Sequence, residues 1–143
     1  MTVTGVDDNI IDGTVTSTIT VAVNDGSSND NFDAVANQTV SVTTVDNDVA
    51  GFTIVQSGGS TGVAETGTTD TFTVVLTAQP ASNVVLTITS SDTGETTVTG
   101  SLTFTPANWN TTQTVTVTGV DDNIIDGTIT STITIAVDDA GSD

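Results

Sequence analysis

An all-β sandwich is the fold class this chain predicts, on three observations. Threonine and β-branched aliphatic residues alternate in short runs. Turn residues punctuate the runs at close intervals, and no segment of useful length carries a helical period. Threonine makes up nearly a quarter of the 143 residues and falls mostly at the polar positions of the runs, which suits strands with one solvated face. Both prolines, Pro80 and Pro106, sit in turns, as a sheet requires. Such elements bury their apolar faces by stacking sheet on sheet.

Taken in order, residues 1–4 continue a TVTV pattern. Residues 14–23 predict a strand with Ile19, Val21 and Val23 on one face. Residues 24–37 are polar and read as a long loop. Residues 38–45 predict a strand with Val40 and Val42 inward, closed by Asp46, Asn47 and Asp48. A fresh unit begins at Val49. Its strands are residues 51–56 (Phe52, Ile54), 71–77 (Phe72, Val74, Leu76) and 83–89 (Val84, Leu86, Ile88). Residues 57–62 form a flexible Gly/Ser stretch, and Val63 and Ala64 add a short piece before Glu65. Residues 96–105 predict a strand anchored by Leu102 and Phe104 and interrupted at Gly100. A turn with the single tryptophan, Trp109, leads to strands at 112–118 and 128–137. The turn spacing is immunoglobulin-like, so the expected topology is an immunoglobulin-like Greek-key sandwich, without the Cys and Trp signature of true immunoglobulin domains.

Residues 2–23 recur as residues 116–137, differing only where Val15 and Val21 become Ile129 and Ile135. Near-identity at a fixed offset is the mark of tandem repeats, here of period 114. Residues 1–48 are then expected to be the C-terminal half of one repeat. Residues 49–143 are expected to be most of the next, without its final strand. Met1 stands where the repeat has Val115, inside a strand, which suggests a window on a longer array.

The charge balance narrows the function. Eighteen acidic residues face no Lys, Arg or His, giving a formal net charge of −18. Nothing neutralises phosphate, which argues against nucleic-acid binding. Without His, Lys or Cys no hydroxyl is activated for nucleophilic catalysis, and a non-enzymatic role is expected. There is no cysteine to form a disulfide framework and no apolar run long enough to span a membrane. Acid-rich, base-free chains suit salty external media.

Where the acids fall matters more than their number. In a seven-stranded sandwich with antiparallel sequential strands, alternate loops share an end. One end receives Glu65, then Asp92, then Asp121, Asp122 and Asp126, with Asp46 and Asp48 at the exit of the last strand. The other end carries acids only in the loop of Asp25, Asp30 and Asp33, matched in part by Asp139 and Asp143. Unpaired carboxylates at one pole repel one another unless a cation joins them. Ca²⁺ takes six to eight such hard oxygens, at about 2.3–2.6 Å, whereas Mg²⁺ demands a strict octahedron that loops rarely offer. The alternative is that these are ordinary turn residues, since Asp and Asn favour turns.

The order of local motifs is similar to that of the Calx-β family, and specifically to Calx-β-like repeats of large bacterial surface proteins. The motifs are VAETG (63–67), SDTG (91–94), SLTFTP (101–106), QTVTV (113–117), VDDNIIDG (120–127) and VDND (45–48). That resemblance implies a seven-stranded sandwich with Ca²⁺ bound at one end. The implied ligands are Glu65, Asp92, Asp121 and Asp122, with Asp46 and Asp48 closing the site. Asp126 stands where the family often has Glu, and Asp7, Asp8 and Asp12 are the equivalent turn of the first copy. The implied role is a calcium-stabilised spacer in an extracellular adhesin or cell-surface filament, with neighbouring repeats or copies of the same chain as partners, head to tail. Strand complementation between chains is expected because a half-sandwich leaves sheet edges open. The alternative is a module that binds a surface glycan or protein.

Overall fold

The computed structural model describes residues 1–142; Asp143, one of the acids assigned above to a loop, lies outside the described residues. The chain is all-β, with three antiparallel sheets. It divides into two compact units, one of Met1–Asp8 and Asp12–Asn47, the other of Asn9–Ile11 and the chain from Asp48 on.

Unit 1 holds β1 (Val15–Val21) and β2 (Gln38–Thr44), paired in a register that runs from Val15↔Thr44 to Val21↔Gln38. The loop between them contains 3₁₀ turns at Asp25–Ser27 and Asp30–Phe32, the second capped by the Asn29 side chain, which accepts the Asn31 N–H. No residue of this unit is buried, and Val40 is 54% exposed. A lone two-stranded ribbon of this kind is marginally stable in water. Residues 1–4, which continue the alternating pattern, are not in a strand.

Unit 2 contains β3 (Phe52–Gln56), β4 (Thr69–Leu76), β5 (Val84–Ser90), β6 (Thr96–Val98), β7 (Ser101–Phe104), β8 (Gln113–Gly119) and β9 (Ile133–Val137). One sheet has the order β3-β4-β8-β6 and the other β7-β5-β9. Alternation along each strand sends every second side chain inward. Phe72, Val74 and Leu76 of β4 and Val115 and Val117 of β8 thereby meet Leu86 and Ile88 of β5 and Leu102 and Phe104 of β7 in one core. The break read at Gly100 is where the chain changes sheets. Val98 pairs with β8, whereas Ser101 pairs with β5, and the Gly100 carbonyl accepts the Ile88 N–H at 3.0 Å.

Two ends of unit 2 can be told apart. β4 begins beside the end of β8, at Thr69↔Thr118, and the acidic turns lie at that end. The other end has Leu76, opposite Phe52, and Trp109. Trp109 packs on the core, and its carbonyl accepts the Leu76 N–H at 3.2 Å. Two elements of unit 2 depart from the sequence reading. Val63 and Ala64 are irregular, and of the strand expected at 128–137 only β9 forms. Residues 128–132 have strand-forming composition but no strand partner for 128–131, and a strand needs its ladder to persist.

Candidate functional site

Three loops bring carboxylates together at the acidic end. Glu65 comes from the β3–β4 connection, Glu95 from the turn before β6, and Asp126 from the segment between β8 and β9. One carboxylate oxygen of each lies within 4.8 Å of the others. Glu65 and Glu95 are half-buried and Asp126 is exposed. A cleft of about 400 Å³ opens here, with Glu65, Glu95, Gly127 and Thr128 on its walls.

The end of β8 holds this arrangement in place. The Gly119 N–H donates to the Thr68 carbonyl at 3.0 Å, and the Val120 N–H donates to the Glu95 carbonyl at 2.9 Å. Consecutive residues thus tether the two loops that carry the glutamates. The Glu65 loop closes on itself, the Ala64 carbonyl accepting the Gly67 and Thr68 N–H groups and the Ala64 N–H donating to Thr68 Oγ1 at 2.7 Å. Gly67 adopts φ +78°, which only glycine takes without strain.

Glu95 feels the cluster most. Its carboxyl is held above the ordinary carboxylate range, first by desolvation and then by the charges of Asp126, Asp122, Asp92 and Glu65. The sequence reading passes over Glu95 and takes Asp92 as the acid of that turn. In the structure Asp92 Oδ1 accepts the Gly94 N–H at 3.0 Å and shapes the turn, while Glu95, three residues on, reaches the cluster. The available signal is composition: Glu65 and Glu95 are the two glutamates of the chain, and they meet.

The other sequence-assigned acids lie as follows. Asp122 Oδ1 accepts the Ile124 N–H at 2.7 Å, and Asp121 is exposed. In unit 1, Asp46 Oδ2 accepts the Asp12 and Gly13 N–H groups at 3.1 and 2.8 Å, closing the first DDNIID turn. Asp48 is half-buried, and Asp7 and Asp8 are exposed.

Asp70, also unremarked in the sequence, sits at the start of β4. Its carboxylate accepts the Ser57 hydroxyl, the Gly62 N–H at 2.8 Å and the Thr71 N–H at 2.7 Å. These bonds, Ser57 foremost, hold its carboxyl below the ordinary range.

The two perturbed carboxyls give opposite pH signs. Asp70 contributes stability above its unfolded pKa near 3.8, and that contribution is lost as pH falls through its lower folded value. Glu95 opposes folding as it ionises, from its unfolded value near 4.5 up through its raised folded value. In chelator, Glu95→Gln is therefore expected to raise the melting temperature at neutral pH and to flatten its decline above pH 4.5. Asp70→Asn is expected to lower the melting temperature at neutral pH. Melting curves collected from pH 3 to 8 for the three proteins check both signs.

Among the described residues no helix is long and apolar enough to cross a membrane. Compared with protein-family models, with characterised proteins and with solved structures, the chain finds no match.

Proposed function

We propose that unit 2 is an immunoglobulin-like Greek-key sandwich of the Calx-β kind that binds Ca²⁺ at its acidic end. In this reading the chain serves as a structural repeat module of an extracellular or cell-surface filament or adhesin. The observation that carries it is the meeting of Glu65, Glu95 and Asp126 from three separate loops in a chain with no basic side chain. Oxygens that share one Ca²⁺ at about 2.3–2.6 Å lie at most ~5 Å apart, and three carboxylate oxygens within 4.8 Å of one another fall inside that reach. Mg²⁺ demands a strict octahedron that loops rarely offer and suits a site built from three loops less well. Glu65, Glu95 and Asp126 would hold the ion, with Asp92, Asp121 and Asp122 close in sequence to supply charge. A bound cation supplies the positive charge that the sequence omits and ties three loops into one end.

Calorimetric titration with Ca²⁺, run beside thermal melting in Ca²⁺ and in EDTA, tests the proposal. Calcium at a hundred times its dissociation constant is expected to stabilise the folded chain by about 2.7 kcal/mol. In Glu95→Gln most of that shift disappears. No heat of binding and identical melting in EDTA would remove calcium from the account.

A further inference from the structure

The β3–β4 connection presents Glu65 from a segment with little of its own to hold it. Four of the twelve residues 57–68 are glycine: Gly58, Gly59, Gly62 and Gly67. Glycine gives up more backbone freedom on ordering than any other residue, so such a segment keeps one path only where bonds fix it. Two sets of bonds do so, one on each side of Glu65. Downstream, the Ala64 carbonyl accepts the Gly67 and Thr68 N–H groups at 3.1 and 3.3 Å, and the Thr68 carbonyl accepts the Gly119 N–H at 3.0 Å. Upstream, both side-chain bonds go to Asp70. Its Oδ1 accepts the Ser57 hydroxyl, where the chain leaves β3, and its Oδ2 accepts the Gly62 N–H at 2.8 Å. Residues 57–62 are thereby closed around one carboxylate.

We propose that Asp70 is a positioning residue of the acidic end, one that binds no cation and instead holds the connection in the shape that presents Glu65 to Glu95 and Asp126. Three observations carry this inference. First, Glu65 stands three residues after Gly62 and three before Thr68, so it is bracketed by two fixed points. Second, the upstream point is rooted in the sheet. Asp70 lies on β4 opposite Val117 of β8, and its Oδ1 also accepts the Thr71 N–H at 2.7 Å, which sets the carboxylate against its own strand. Third, both oxygens of Asp70 are spent on these donors, and the residue is not among the three whose carboxylates meet. It is an acid of the acidic end with a different task.

The chemistry of the anchor requires a carboxylate. An ionised Asp is acceptor-only and can take donors on both oxygens at once. Asn keeps one accepting oxygen for Ser57 and Thr71 but turns an amide NH₂ toward the Gly62 N–H, donor against donor. Bonds to an ionised acceptor are also about twice as strong as neutral ones, which suits a tether on a glycine-rich path. The upstream bracket then opens in Asp70→Asn or when the Ser57 hydroxyl is removed, and Glu65 is left fixed from one side only. The role assigned to Asp70 rests on the calcium reading, but the loop it holds can be followed without calcium.

Ser57→Ala, Ser57→Thr and Asp70→Asn are compared with the unmodified chain by calorimetric titration with Ca²⁺ and by amide hydrogen exchange in EDTA. Ser57 is exposed, so Ser57→Ala leaves the core untouched. Leu102→Ala, in the core but remote in sequence from the connection, serves as the stability control. Calcium affinity is expected to fall by about tenfold in Ser57→Ala and Asp70→Asn, the low end of what losing an outer partner costs a metal site. Ser57→Thr restores the hydroxyl and the affinity. Leu102→Ala melts earlier yet keeps the affinity, which a merely structural role for Asp70 would not allow it to do alone. In EDTA the amides of Gly62, Gly67 and Thr68 exchange faster in Ser57→Ala, while those of the β4–β8 ladder hold, as local opening predicts. Unchanged affinity and unchanged exchange at these three amides would overturn the proposal and leave calcium binding in place. Faster exchange in a chain whose unmodified form gives no heat with Ca²⁺ would keep Asp70 as the anchor of the loop and remove the cation it was to serve.

Discussion

Gly119→Ala is expected to destabilise unit 2 and to weaken the proposed calcium binding at least tenfold, while Gly5→Ala in the same repeated sequence does neither. A Cβ at position 119 would lie 2.1 Å from the Ala64 carbonyl oxygen and 2.7 Å from its carbon. The obstacle is backbone, so no rotamer change relieves it. The Ala64 carbonyl is also committed to the Gly67 and Thr68 N–H groups, and the loop that must move carries Glu65. Overpacking a well-packed site costs about 1–3 kcal/mol and occasionally more, and a clash with main chain belongs at the upper end. At Gly5 the added Cβ meets only Thr44 Cγ2, at 3.8 Å, an ordinary contact. Exposed substitutions without such a feature stay within about ±0.5 kcal/mol. Denaturant melts and calcium titrations of the two variants check the contrast. Equal behaviour of the pair would show that the close approach of β8 to the Glu65 loop does not exist in solution.

Phe104→Ala carries the larger cost in stability, about 3–5 kcal/mol by the usual range for deleting a buried aromatic. Phe104 is fully buried and is the largest of the side chains so enclosed. It stands on β7, opposite Val84 of β5, and projects between the two sheets of unit 2. Natural domains hold only about 5–15 kcal/mol in total, so this single truncation removes a large fraction of the margin. Trp109, in unit 2 and packed against the same core, reports the loss by its fluorescence in denaturant. Phe32 offers the comparison. It is 60% exposed in unit 1, and Phe32→Ala is expected to leave the tryptophan transition where it was. A small shift for Phe104→Ala would mean that the two sheets do not enclose a common core.

The strands were legible because burial imposes a period of two, which Phe72, Val74 and Leu76 or Val115 and Val117 display without ambiguity. Gly100 was legible as a break, since a glycine inside an alternating run marks a bend or a close approach. Residues 128–132 were not legible as irregular. Their composition is that of a strand, and only the lack of a partner keeps them out of one. Pairing is a property of two segments, and no local pattern records it. The candidate site was legible in outline, as acids from several turns gathered at one end with Glu65 and Asp126 among them. Its centre was missed. Asp92 answers the usual description of a turn ligand but spends an oxygen on the Gly94 N–H, while the longer Glu95 reaches inward. The role of Asp70 is not legible in the sequence for a related reason. Its partners, Ser57 and Gly62, lie 13 and 8 residues away, across a loop whose path the sequence does not state.

The ladder geometry of unit 2 has a mechanical side. β3 begins opposite Leu76, and β9 ends opposite Leu86, so both terminal strands leave the unit at the end remote from the acids. Tension drawn through Phe52 and Val137 loads each ladder at its outermost pair. The pairs then separate in sequence, as a zip does, and each rung resists alone.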